Sequence, residues 1–282
     1  MGVPTTKTAL RAFLGAGGLS PRRLKGQNFL ADPNLVAAIA REAAVGASDC
    51  VLEVGTGTGI LTQALAETAG CVVTCDVDER LLALARGARE WPESVVFVAA
   101  DALLGKHRLD PGLLARWREE RRARGLARLR VVANLPYAIA TPFLANLLWE
   151  GVEAVDALVL VQREAADRFV APPCTREYGP VSIAVALFAR ARIVRAVPPQ
   201  VFWPEPKVQS ALVRLEARDP EGARRLRAAG LEALLHDAFL HRRKMMRSRF
   251  DPARLAAAGI PPEARPEEVE AGAWPRLLAS AP

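Results

Sequence analysis

The chain reads as an α/β protein, an open sheet followed by a small all-helical domain. Three observations carry that expectation. Short apolar runs at 51–54, 71–75, 95–99, 131–133 and 157–161 alternate with stretches of helical pattern, as strand–helix–strand units do. The first run leads straight into Gly55-Thr56-Gly57-Thr58-Gly59, a loop whose glycines take positive φ and let backbone approach a ligand. From about Pro220 the texture becomes Ala-, Leu- and Arg-rich with no further strand pattern. The expected divisions are a basic arm over 1–25, a sheet domain over 26–218 and a helical domain over 219–282.

With 282 residues, 51% of them apolar, the chain can bury a large core. A net charge of +7 points toward a polyanionic partner. That charge is uneven: residues 105–130 carry nine Lys/Arg against three acids, and residues 1–26 carry five against none. Cys50, Cys71, Cys75 and Cys174 form no CxxC pair and no metal-ligand spacing, which fits free thiols in a reducing, cytoplasmic setting without a metal site. No run of about 18 apolar residues is present to span a membrane, and the N-terminus lacks a signal-peptide core.

Taken in order, the arm is expected to be partly mobile with a short helix over 8–14. Gln27-Asn28 then either reaches a ligand or caps a turn, and Asp32-Pro33 starts a helix over 33–44. After the glycine loop a helix covers 60–67. The second strand ends at Asp76, 21 residues beyond Gly55, where an acid can take both hydroxyls of a ribose. The third ends before Asp101, placed to accept from an adenine amine. Gly-loop, acid and acid at successive strand ends describe a nucleoside-binding crevice. The G-x-G-x-G spacing is not the dinucleotide G-x-G-x-x-G, so a nicotinamide dehydrogenase is disfavoured.

Residues 103–129 are helical in character and dense in arginine, either a solvated face or a nucleic-acid contact. The strand at 131–133 ends in Asn134-Leu135-Pro136-Tyr137, a rigid turn offering an amide, a backbone carbonyl and an aromatic face. Helices follow over 139–150, 162–170 and 182–189. The loop 171–179 is either plain surface or a substrate-facing flap. Strands at 193–197 and 211–215 form a final antiparallel pair, and between them Phe202 and Trp203 are either core plugs or a stacking surface opposite Tyr137. Residues 241–247 form a basic helical patch, while His107, His236 and His241 read as surface residues.

Together these pieces closely resemble the ribosomal RNA adenine N6-dimethyltransferases, specifically the KsgA-type enzymes of the small subunit. The resemblance spans roughly 26–250. It rests on Gly-Gln-Asn-Phe-Leu at 26–30, Glu-Val-Gly-x-Gly-x-Gly at 53–59 and Asn-Leu-Pro-Tyr-x-Ile-x-Thr-Pro at 134–142. Gln-x-Glu-x-x-x-Arg at 162–168, Tyr-Gly-x-x-Ser at 178–182, Phe-x-Pro-x-Pro-Lys-Val-x-Ser at 202–210 and Arg-Arg-Lys at 242–244 complete it.

That resemblance implies a Rossmann-like S-adenosylmethionine-dependent methyltransferase sheet and a small helical domain that docks on RNA. Asn28, Leu30, Gly55, Gly57, Asp76, Asp101 and Asn134 would bind S-adenosylmethionine. Asn134 and Leu135 would hold the adenine amine through the side-chain oxygen and the backbone carbonyl. Tyr137 would stack on the base, with Phe202 a candidate for its other face, and Arg242, Arg243 and Lys244 would meet RNA. The implied reaction is N6,N6-dimethylation of two adjacent adenosines in the 3′-terminal hairpin of small-subunit 16S RNA. The implied setting is a cytoplasmic monomer acting on a pre-30S particle in ribosome biogenesis. Rival readings are the large-subunit methyltransferase of the macrolide-resistance type, and an assembly factor whose RNA docking matters more than methylation. The chain departs from the family pattern at Thr56 and Glu205, where proline is usual, and at Asp76, where glutamate is usual. The 103–129 segment is longer than typical and the C-terminal domain shorter.

Overall fold

A computed structural model describes residues 2–21, 27–153 and 156–280. Gly26 of the first motif and the basic residues at 22–25 lie outside them. The chain begins with α1 (Lys7–Ala16), β1 (Phe29–Leu30) and α2 (Pro33–Ala43). Alternating units follow: β2 (Asp49–Val54), α3 (Ile60–Ala66), β3 (Cys71–Asp76), α4 (Glu79–Arg86), β4 (Val95–Ala99), α5 (Pro111–Ala123), β5 (Arg128–Asn134), α6 (Tyr137–Trp149) and β6 (Asp156–Gln162). Then come α7 (Arg163–Val170), α8 (Pro180–Phe188), β7 (Ala189–Val197), β8 (Phe202–Trp203) and β9 (Ser210–Ala217). The last elements are α9 (Pro220–Ala228), α10 (Leu231–Leu240), α11 (Pro252–Ala258) and α12 (Ala273–Ala279).

Seven strands form one sheet in the order β4-β3-β2-β5-β6-β9-β7. The strands from β4 to β6 are parallel, and β9 runs antiparallel to both β6 and β7. The expected antiparallel pair is therefore present, with its second member inserted between β6 and the first. The chain moves outward from β2 through β3 to β4, then returns to place β5 on the other side of β2. Such a reversal opens a crevice at the carboxyl ends of the strands.

Both faces of the sheet are covered, as a parallel sheet requires. Side chains alternate along each strand: Val51, Val72, Val132 and Leu158 pack with α2 and α3, while Cys50, Leu52, Val131 and Val159 join the opposite core. That second core runs without a break through Phe143, Phe188, Leu235 and Trp274. The 219–282 segment is all-helical among the described residues and shares its interior with α6 and α8.

The short helix expected in the N-terminal arm is present as α1: it is capped by Thr6, whose Oγ1 accepts from Ala9 N at 3.2 Å, and it buries Leu10, Phe13 and Leu14 against Phe29, Leu81 and Ala88. Two expectations need correction. The 103–129 segment is helical only over Pro111–Ala123, and the stretch before it is a loop closed by a Leu103–Leu109 bridge. The patch at 241–247 is mostly a turn, because α10 ends at Leu240. Phe29 and Leu30 pair with Trp203 and Phe202 in a separate two-stranded sheet, which two-residue strands do not announce in sequence.

Trp274 is fully buried in the shared core. Trp274→Ala is expected to cost about 3–5 kcal/mol. Urea unfolding followed by circular dichroism should show one transition at lower denaturant for sheet and helices together. Sheet stability left unchanged would mean that the helical segment folds by itself.

Candidate active site

The carboxyl ends of β2, β3 and β5, with the loop after β4, face a cavity of about 280 Å³. It gathers Asn28, Gly55, Gly57, Asp76, Asp101, Asn134, Leu135 and Tyr137 from five separate stretches of chain. Of the residues expected to bind the cofactor, Leu30 alone stands behind it. Its buried side chain lines a recess of about 30 Å³ with Gly55, Gly57 and Asn134.

The glycine loop is shaped by three left-handed residues, Gly55 (φ +86), Gly57 (φ +57) and Gly59 (φ +83). The N–H groups of Gly55 and Thr56 donate to the Cys75 carbonyl at 2.8 and 3.0 Å, tying the loop to the end of β3. A Cβ on Gly55 would stand 3.4 Å from Pro136 Cδ. The Asn134–Tyr137 turn therefore passes against the loop within van der Waals contact, and it is the positive φ of Gly55 that favours glycine there.

Asp76 is held by two backbone donors, Gly57 N to Oδ2 at 3.1 Å and Asp78 N to Oδ1 at 2.9 Å. Burial pushes its carboxyl up, and these hydrogen bonds oppose the shift. Each oxygen retains acceptor capacity for a diol. Asp101 is exposed and fixed by Leu103 N donating to Oδ1 at 3.0 Å. The apolar lining is Phe29, Val77, Leu81 and Ile139, and Val77 is 59% exposed although aliphatic.

At the end of β5, Asn134 Nδ2 donates to the Asn28 carbonyl at 3.1 Å. The amide is thereby oriented, with Oδ1 left as an acceptor. Leu135 N donates to the Leu160 carbonyl at 3.1 Å, pinning the turn to β6. Tyr137 is the first residue of α6, and its hydroxyl pairs with Ser210 Oγ at 2.8 Å. Burial raises its phenol against that bond.

Some expected substrate contacts are not assembled here. Phe202 is fully buried beside Leu30 and Val197, because pairing with β1 turns it into the core, so it offers the cavity no face. Arg242, half-buried, donates to the Glu267 carboxylate and to the Thr175 and Arg176 carbonyls, so its guanidinium is already engaged by partners within the chain. Arg243 and Lys244 are exposed. The 171–179 loop is no loose flap: Tyr178 is buried, with its hydroxyl donating to the Val269 carbonyl at 2.9 Å.

One cluster went unnoticed in the sequence. Glu53 is buried at the base of the glycine loop and accepts from Thr62 Oγ1 at 2.5 Å and Thr74 Oγ1 at 2.7 Å. With the Thr74 proton committed there, Thr56 Oγ1 is left as donor to Thr74 Oγ1 at 2.7 Å. Three threonines around one strand acid were the available signal. Burial pushes the Glu53 carboxyl up to about 8, against the pull of the threonine hydrogen bonds. A group raised on folding contributes stability that is full below its unfolded value and is lost as pH climbs through the folded one. Glu53→Gln, which cannot ionise, should therefore gain on the wild type between about pH 5 and about pH 8, by on the order of a few kcal/mol. Parallel stability profiles for the two proteins in urea would refute this role.

Among the described residues no group of three or more His, Cys, Asp or Glu is placed to hold a metal ion. The model of the family "Ribosomal RNA adenine dimethylase" matches residues 19–274. The ribosomal RNA small subunit methyltransferase A of Rhodococcus opacus is 37% identical, over 97% of this chain and 93% of that one. Its counterpart from Moorella thermoacetica is 36% identical, over 91% of each. Among solved structures, a dimethyladenosine transferase from Plasmodium falciparum matches with TM-score 0.70 and 22% identity over 87% of this chain and 94% of that one. The 23S rRNA methyltransferase ErmE matches with TM-score 0.61 and 26% identity over 90% and 99%. With a family match over most of its length and relatives this similar end to end, the chain is a member of the ribosomal RNA adenine dimethylase family.

Proposed function

We propose that this chain transfers methyl groups from S-adenosylmethionine to the N6 amines of adenines in small-subunit ribosomal RNA, two to each base. The observation that carries the reading is the Asn134–Tyr137 turn, held rigidly against a cavity whose two acids and glycine loop suit a nucleoside. Asp76 meets the ribose hydroxyls, Asp101 the adenine amine of the cofactor, and Val77 and Leu81 its flat faces. The residues present fit S-adenosylmethionine, which supplies a methyl group activated on a sulfonium.

An adenine amine is a weak nucleophile because its lone pair is delocalised into the ring. Asn134 Oδ1 and the Leu135 carbonyl accept its two N–H bonds and turn the lone pair toward the methyl group. Alignment and fixed dipoles then supply the acceleration. No strong base is needed, since the departing proton becomes acidic once the new N–C bond forms. Tyr137, locked by Ser210, gives the extruded base a stacking face, which offsets part of the cost of unstacking it from RNA. The target is the pair of adjacent adenosines in the 3′-terminal hairpin, presented on a pre-30S particle to a cytoplasmic monomer, with Arg243 and Lys244 on its phosphates.

A large-subunit activity is the second reading, since the 23S rRNA methyltransferase ErmE shares the fold. It is weighed against relatives more than a third identical that are named for the small subunit. Labelled S-adenosylmethionine, undermethylated small subunits and both naked ribosomal RNAs separate the two, with nucleoside analysis of the product. Dimethyladenosine in the small subunit is expected, and label confined to large-subunit RNA would move the assignment. Asn134→Ala should lower kcat by about 10²–10³ while RNA binding persists. Retained transfer in that variant would remove the proposed role of the turn.

A further inference from the structure

The outermost strand, β7, carries a row of unpaired cations. Arg190, Arg192 and Arg195 are exposed, and their side chains make no ion pair or hydrogen bond among the described residues. Their ladder partners on β9 are Glu216, Arg214 and Leu212, alternate residues that share one face. Leu212 places that face on the side of the sheet that packs with α2 and α3. None of the three arginines lines the cofactor cavity. We propose that this row is a docking surface for the sugar–phosphate backbone of ribosomal RNA, separate from the site that receives the target base. The proposal rests on the function above and adds a second point of contact with the same substrate.

A β-bulge makes the row. Up to Ile193 the strand alternates, with Ala189, Ala191 and Ile193 turned to the opposite core. Strict alternation would send Arg195 the same way. The register instead slips between Ile193 and Arg195, and Arg195 falls opposite Leu212, in line with Arg190 and Arg192. Re-aiming a side chain is what a bulge of one extra residue does. Successive members of the row then stand two ladder positions apart, about 7 Å, close to the interval between neighbouring phosphates of an extended strand.

The positive charge is kept open against local preference. Arg192 stands directly across the ladder from Arg214, and like charges so placed repel. Arg214 itself is engaged, donating to the Asp156 carboxylate at 2.9 Å and to the Glu42 carbonyl. Asp156 also serves Arg130 at 2.8 Å, so it is already shared by two guanidiniums. Glu216 faces Arg190 across the ladder and forms no ion pair with it among the described residues. A surface that leaves three guanidiniums unpaired beside acids committed elsewhere breaks a local rule, as functional surfaces do. The guanidinium fork is weakly hydrated and can take two phosphate oxygens at once, which suits a backbone contact.

The test is Arg190→Gln with Arg192→Gln and Arg195→Gln, measured for binding to full-length small-subunit RNA across a salt series. Loss of three phosphate contacts should weaken binding by roughly 10–100-fold and reduce the slope of log K against log salt by about three. KM for the RNA should rise accordingly, while kcat at saturating RNA and the affinity for S-adenosylmethionine stay unchanged. The urea midpoint should not fall, since the change removes a like-charge pair. A matched control, Arg86→Gln with Arg121→Gln and Arg122→Gln on α4 and α5, removes the same charge elsewhere and should keep the wild-type slope. A wild type that methylates small-subunit RNA, together with a β7 variant whose slope equals that of the wild type or of the control, would overturn the docking surface alone. Unchanged RNA binding with lost sedimentation on phosphatidylglycerol vesicles would assign the row to a lipid surface and overturn it too. A wild type that neither binds nor methylates small-subunit RNA would overturn the function beneath it as well.

Discussion

The bond from Asn134 Nδ2 to the Asn28 carbonyl is the joint on which the candidate site depends. It ties the end of β5 to the stretch just ahead of β1, which the sequence separates by 106 residues. The next residue, Phe29, pairs with Trp203 and is backed by α1. Its ring lies 3.4 Å from where a Cβ on Gly57 would stand. Turn, N-terminal strand and glycine loop are thus in mutual contact. Displacing any one of them moves the other two, so the shape of the cavity is a property of three distant segments.

Beneath that joint the fold tolerates an unfavourable burial. Glu53 lies fully inside and is held by hydroxyls instead of a cation. Thr56 is central to the arrangement, since its N–H reaches the Cys75 carbonyl and its hydroxyl reaches Thr74. A proline, usual in the family at this place, can make neither bond. The substitution therefore replaces ring stiffness with two hydrogen bonds, and it couples the glycine loop to the protonation of a buried acid.

The sheet was legible because its signals are local. Apolar runs ending in glycine, aspartate or asparagine marked the central parts of β2, β3 and β5, missing up to three residues at their starts, and the acids at 76 and 101 fell on one cavity as their positions after strands implied. The misreadings share a cause, which is contact between residues remote in sequence. Phe202 looks like an exposed aromatic among prolines until Leu30 pairs with it. Arg242 looks like a free cation until Glu267 arrives from 25 residues away, and Tyr178 looks like a loop tip until Val269 accepts its proton. No periodicity reports such partners. The helix in the N-terminal arm was visible, but its partners Leu81, on α4, and Ala88, just past its end, are not named by its own apolar stripe.

The strand β7 closes one side of the sheet, and among the described residues no neighbour strand pairs with its outer edge. Open edges of this kind recruit strands from other molecules. Here Arg190, Arg192 and Arg195 are all exposed along that edge, and the register slips between Ile193 and Arg195. Two copies approaching edge to edge would bring like charges together across a ladder that is bent out of line. A sheet of seven strands thus ends in a self-repelling border, and its exposed arginines guard it against fibre-like association.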